Sequence, residues 1–158
     1  MPQAKHHSPE FLALVNDAKT RVKEIRIDDY QRMRESGEPV LLVDVREDNE
    51  WTAGHAAGAV HLGKGVIERD IEAKIPDKST TMVLYCGGGF RSALAADNLQ
   101  KMGYQNAISL DGGWRDYQAA GLPIEKYRFF KTTTGCWYNP CARGIRASHR
   151  NPRGNRNI

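Results

Sequence analysis

The stretch Met82-Val83-Leu84-Tyr85-Cys86-Gly87-Gly88-Gly89-Phe90-Arg91-Ser92 decides how this chain is read. An apolar run ends in a cysteine, three glycines and an arginine follow, and Ser92 to Met102 reads as a helix. Strand, loop of unhindered amides and helix start, in that order, make an anion site around a nucleophile. Glycines let successive N–H groups turn inward. The first helical turn adds unpaired N–H groups and the positive end of the dipole. A thiol held there is favoured as the thiolate, which points to an enzyme. Arg91 offers a forked cation to an oxyanion, Ser92 reads as the helix N-cap within reach of the sulfur, and Phe90 walls the pocket. No proton acceptor adjoins Cys86 in sequence, which suits a thiolate held by amides.

Outward from this loop, strands and helices alternate. Val40-Leu41-Leu42-Val43-Asp44-Val45 is an almost unbroken apolar run, as for a strand buried on both faces. Ala107-Ile108-Ser109-Leu110 predicts another strand, and Asp111-Gly112-Gly113 turns into a helix from Trp114 to Ala120. Shorter strands are expected at Val22 to Ile25 and Ala59 to Leu62, and helices from Ser8-Pro9-Glu10, from Asp28 as a cap, over Glu47 to Ala53 and over Ile67 to Ala73. The fold class implied is α/β, a mostly parallel central sheet with helices on both faces. Ligands bind beyond the carboxyl ends of strands in such sheets, and Cys86 stands at such an end.

With 158 residues the chain can bury one core. No apolar run is long enough to span a bilayer, and the first ten residues lack a signal-peptide apolar region, so a cytoplasmic protein without a membrane partner is expected. Three cysteines, Cys86, Cys136 and Cys141, do not make a disulfide framework. The formal charge of +4 is uneven. From Tyr127 onward there are seven Lys and Arg and no acid, which leaves 16 basic against 19 acidic residues in positions 1–126. The high pI therefore belongs to the tail, and nucleic acid is not an expected partner.

The loop resembles the active-site loop of single-domain rhodaneses, the thiosulfate sulfurtransferases, whose pattern of cysteine, glycine three places on and arginine two further is met by Cys86, Gly89 and Arg91. Asp44-Val45-Arg46-Glu47, Glu50-Trp51 and Gly54-His55-Ala56-Ala57-Gly58-Ala59 resemble the family's N-terminal signature. Leu110-Asp111-Gly112-Gly113-Trp114 resembles its C-terminal one. The resemblance covers roughly Ile25 to Ile124. A helical extension over 1–20 follows from the Ser8 helix start and a basic, poorly ordered tail over 127–158 from its composition, and the resemblance implies a rhodanese domain over 21–126 between them. It also implies sulfane sulfur transfer through a Cys86 persulfide, with Gly87, Gly88, Gly89, Phe90, Arg91 and Ser92 binding a small anionic sulfur donor. Cyanide, a thiol or a protein cysteine would accept the sulfur, and neither metal nor cofactor is needed. Gly87 and Gly88 lack the cationic side chain that some sulfurtransferases use for thiosulfate, so the donor stays open. Phosphatase or arsenate reductase chemistry on the same fold uses five residues between Cys and Arg, against four here. A rhodanese-like binding module often lacks the cysteine.

Other features have plainer readings. Asp44 and Arg46 read as a structural pair fixing the strand end, because a buried charge needs a partner. His55 reads as a backbone-bonded histidine, and Asp111 and Trp114 as a turn and a packing anchor. Cys136, Cys141 and His149 make a weak zinc set, with four residues between the cysteines and three candidate ligands; the two thiols could accept sulfur from Cys86 or form a redox pair, and tail thiols without a role are the default reading. The glycine loop is neither a P-loop nor a dinucleotide fingerprint.

Overall fold

The computed structural model describes residues 6–126, together with two short strands at Phe130–Lys131 and Trp137–Tyr138. The chain divides into two compact units, Met1–Lys126 and Tyr127–Ile158. In the second, the two strands pair antiparallel, with Phe130 opposite Tyr138. The remainder of the expected poorly ordered tail, with Cys136, Cys141 and His149, lies outside the described residues.

The first unit is built on β5 (Met82–Tyr85) and β2 (Leu41–Asp44). With β1 (Glu24–Ile25), β4 (Val60–His61) and β6 (Ala107–Leu110) they form one sheet, ordered β1-β6-β5-β2-β4, in which every pairing is parallel. All four residues of β5 are inaccessible to solvent. Alternation along β5 sorts its side chains onto two faces. Met82, Leu84 and Cys86 join one core cluster with Ile67, Ile71 and Leu99, from α4 (Ile67–Lys74) and α5 (Phe90–Lys101). Val83 and Tyr85 join the other, with Tyr30 of α2 (Ile27–Glu35) and Tyr117 of α6 (Gly113–Ala119). Helices therefore cover both faces, and no helix among the described residues is long and apolar enough to cross a membrane.

The N-terminal helix α1 (Pro9–Lys19) starts as its sequence dictates, with the Ser8 hydroxyl accepting from the Phe11 N–H at 3.2 Å. Arg21, just beyond it, donates twice to the buried Asp97 carboxylate of α5, at 2.9 and 3.1 Å. Two expected caps move. The second helix begins after Arg26 rather than Asp28, because the Asp29 carboxylate turns back to accept the Arg26 N–H at 3.2 Å. The helix after the glycine loop begins at Phe90, two residues before Ser92, with Gly89 as its N-cap at φ 103°. Ser92 is thus an interior residue, and its hydroxyl serves other partners.

Register places the ends of β2 and β5 level, Asp44 opposite Tyr85. There Arg46 folds back on Asp44 with contacts of 2.6 to 3.1 Å, both side chains buried, and a second donation reaches the Gly54 carbonyl at 2.8 Å. Gly54 closes α3 (Asp48–Ala53) and precedes β3 (His55–Ala56). β3 pairs antiparallel with β7 (Ile124–Glu125), a small sheet that the sequence pattern does not announce. Each of its strands is only two residues long, too short for periodicity to register. Asp44→Ala should cost about 3 kcal/mol or more, because it strands a buried guanidinium. Urea denaturation measures this, and a loss below about 1 kcal/mol would refute the pairing's role.

Candidate active site

Cys86 follows the last residue of the central strand β5 and is 2% exposed. The loop Gly87-Gly88-Gly89 curls around its sulfur, and the Gly89 N–H donates to Sγ at 3.1 Å. That amide is the N-cap of the 12-residue helix α5, so the sulfur sits at the positive end of a helix. Beneath it, Ser92 Oγ lies 3.7 Å from Sγ and 2.9 Å from Ser109 Oγ on β6.

The turn after β6 holds the loop from outside. The Trp114 N–H donates to the Cys86 carbonyl at 2.7 Å, and the Arg115 N–H to the Gly87 carbonyl at 3.3 Å. Gly113, at φ 50°, is required here, since any β-carbon would collide with the Cys86 carbonyl. Gly89 is similarly confined, with its missing β-carbon aimed 3.3 Å from the Asp111 and Gly112 backbone.

Arg91 does not present an open fork. Its Nη1 and Nη2 donate to the two carboxylate oxygens of Glu50 at 2.7 and 3.0 Å, and Glu47 lies 3.8 Å from Nη1. The cause is topological. α3 leaves the end of β2 beside the Cys86 loop, bringing two carboxylates to an arginine that sequence spacing alone leaves free. Hydrogen bonding to Arg91 holds the Glu50 carboxyl down at about 2. The same pair keeps Arg91 above its ordinary value.

The remaining residues singled out in sequence form a scaffold next door. The Arg46 guanidinium lies 4.5 Å over the Trp114 ring, sandwiching the Asp44 pair against α6. His55 is buried, its ring stacked on Trp51 with centroids 3.4 Å apart and its Nδ1 3.0 Å from the Trp51 carbonyl. Asp111 is half exposed, 3.9 Å from Lys19 Nζ. None of Asp44, Arg46, His55, Asp111 or Trp114 lines the cavity above Cys86.

That cavity measures about 860 Å³. Its floor is Cys86, Gly87 and Gly88. Phe90 and Arg91 form one wall, Glu47 with Asn49 and Glu50 of α3 another, and Arg115 also lines it. Its outer side comes from His7 and Phe11, which the sequence reading did not place at a site. Their rings cluster with Phe90, at 5.1 Å for His7 and 6.3 Å for Phe11. The only signal for Phe11 was its place on an apolar helix stripe, which says that it packs and not against what.

A thiol in a glycine loop at the end of a central parallel strand defines the class of site, and comparison supplies the family. The rhodanese-like domain model matches residues 26–120, more than half of the chain, and the chain belongs to that family. It is 34% identical over 93 residues to the thiosulfate sulfurtransferase GlpE of Pseudomonas entomophila, a match covering 57% of this chain and 84% of that protein. Among solved structures, the polysulfide-sulfur transferase homodimer of Wolinella succinogenes superposes with TM-score 0.63 at 25% identity, over 74% of this chain and 88% of that one. RPA3614 of Rhodopseudomonas palustris, a protein of unknown function described as a possible tyrosine phosphatase, gives 0.64 at 28%, over 79% and 99%. Against other curated relatives the match spans about half of their length, or as little as 20%. His7 and Phe11 fall outside the residues that the family model matches.

The Glu50–Arg91 pair carries a pH signature. A carboxyl lowered from 4.5 to about 2 by folding adds stability that is complete above its unfolded value. That stability drains as pH falls from there through the folded value. Glu50→Gln should therefore be less stable than wild type at pH 7, with the gap closing between roughly pH 4.5 and pH 2. Urea midpoints measured across that range check it; a constant gap would exclude the pair as its source.

Proposed function

We propose that this protein is a sulfurtransferase in which Cys86 carries sulfane sulfur from an anionic donor such as thiosulfate to a thiophilic acceptor. One observation carries the reading: a cysteine on the floor of an open cavity, with a helix-terminal N–H 3.1 Å from its sulfur. The Cys86 thiolate attacks the outer sulfur of thiosulfate, the S–S bond breaks, and sulfite leaves with the electron pair. The terminal persulfide sulfur, now anionic, lies over the glycine loop, whose Gly89 N–H already points at Sγ and whose amides stabilise negative charge without giving up a proton. Cyanide or a thiolate then attacks that sulfur and returns Cys86 as thiolate. Phe90 borders the approach and Arg91 supplies positive charge beside it, while the buried Ser92 acts from below the sulfur.

Phosphoryl transfer is supported less well. Only four residues separate Cys86 from Arg91, and the Arg91 fork that would grip a tetrahedral oxyanion is occupied by Glu50. The breadth of the cavity and its aromatic side favour an acceptor larger than cyanide.

Treatment with thiosulfate should add the mass of one sulfur atom to the peptide holding Cys86, and Cys86→Ser should neither gain it nor turn over thiosulfate and cyanide. Retained turnover in that variant would end the assignment. An aryl phosphate hydrolysed faster than thiosulfate is consumed would put phosphatase chemistry first. Arg91→Ala should raise the thiosulfate concentration for half-maximal rate several-fold, roughly the value of one screened charge contact; an unchanged value removes Arg91 from donor binding.

A further inference from the structure

We propose that Ser109 of β6 is a positioning residue for Cys86, closing through Ser92 a buried hydroxyl chain whose hydrogens fit a sulfur that carries none. Ser92 and Ser109 are both fully buried. Among the described residues each hydroxyl makes only the contacts of this chain, Sγ to Ser92 Oγ at 3.7 Å and Ser92 Oγ to Ser109 Oγ at 2.9 Å. Ser109 is flanked on β6 by buried apolar residues, Ile108 and Leu110, and stands in register with Leu84, two residues before Cys86. Nothing in the packing of the sheet calls for a hydroxyl there.

The chain can be counted. Two contacts need two hydrogens, and the two hydroxyls supply two. If the sulfur has no hydrogen, Ser109 donates to Ser92, Ser92 donates to Sγ, and every buried group is satisfied. If the sulfur carries a hydrogen and gives it to Ser92, the chain reverses and the Ser109 hydrogen is left buried without an acceptor. If that hydrogen points into the cavity instead, a neutral thiol, a weak acceptor, must serve both the Gly89 N–H and the Ser92 hydroxyl. Of the three arrangements, a hydrogen-free Sγ is the one that gives both donors a strong acceptor and leaves no buried hydrogen unmatched. Sγ is hydrogen-free as the thiolate and again as the inner sulfur of a persulfide, so no proton need move beneath it as sulfur is loaded and discharged. The persulfide half of this argument rests on the sulfur-transfer reading; the thiolate half rests on geometry alone.

The test is the rate of Cys86 alkylation by iodoacetamide against pH, resolved by peptide mass spectrometry because the chain also contains Cys136 and Cys141. Ser92→Ala should move the midpoint up by about one pH unit, the scale of one hydrogen bond to a charged group. Ser109→Ala should move it by roughly half as much, since it acts only through Ser92. In a Ser92→Ala background, Ser109→Ala should add nothing. Ser109→Thr and Ser109→Val form a second pair of equal shape, and only the valine should shift the midpoint, which keeps the question open to test if alanine fails to fold. An unmoved midpoint in both Ser109→Ala and Ser109→Val, or the same shift with and without the Ser92 hydroxyl, overturns the proposal. Alkylation needs no sulfur transfer. A shifted midpoint in a protein that forms no persulfide would therefore refute the proposed function and leave the hydroxyl chain standing.

Discussion

Arg46 is buried with its charge, and the end of the sheet around the site is arranged to satisfy it. Its guanidinium takes both oxygens of Asp44, reaches the Gly54 carbonyl, and lies against Trp114. Its own carbonyl meets His61 Nε2 at 3.0 Å. These contacts join β2, the end of α3 and β4 to the face of α6, which comes more than fifty residues later in the chain. A buried pair of this kind adds little net stability over an apolar replacement, yet breaking it is severe. Its value here is in geometry, for it fixes the two turns that flank the Cys86 loop. The α3 turn delivers Glu50 to Arg91, and the β6–α6 turn delivers the Trp114 and Arg115 amides to the carbonyls of Cys86 and Gly87.

The Cys86 sulfur is thereby held on every side but one. Backbone carbonyls of its own loop are tied outward, Gly89 donates to the sulfur from the helix end, and the Ser92 hydroxyl lies below. The open direction is the cavity, and part of that wall is contributed by α1 and the residues before it. The Arg21–Asp97 pair pins this segment to α5, the helix that starts beside the sulfur. A helix outside the matched family region thus becomes a wall of the chemical site.

Sequence made the sheet and the place of Cys86 at its end legible because both are local statements. The apolar runs of β2 and β5 and the cysteine between strand and glycines need no knowledge of distant residues. Ser92 was misread for the same reason: serine before an apolar stretch looks like a cap, and only tertiary structure shows that Gly89 takes that place and Ser109 claims the hydroxyl. Arg91 follows the same logic. Its spacing from Cys86 was visible, but its pairing with Glu50 depends on the parallel register of β2 and β5, which no spacing along the chain records. His7 and Phe11 lay beyond reach altogether, since an amphipathic stripe does not name its neighbour.

The occupied Arg91 fork bears on which anions the loop can select. An arginine with an open fork fits a tetrahedral oxyanion by paired hydrogen bonds. One already committed to Glu50 offers a smeared positive charge with a negative one beside it, which attracts an anion weakly and does little to orient it. Orientation must then come from the backbone amides at the sulfur, whose span over Gly87 to Gly89 is short. A small, polarisable sulfur atom makes few directional demands and fits such a cradle, whereas a phosphate with three oxygens to satisfy does not. The carboxylates of Glu47 and Glu50 in the facing wall weaken the pull of Arg91 on any anion further, so in the proposed reaction the loop amides carry most of the donor's binding.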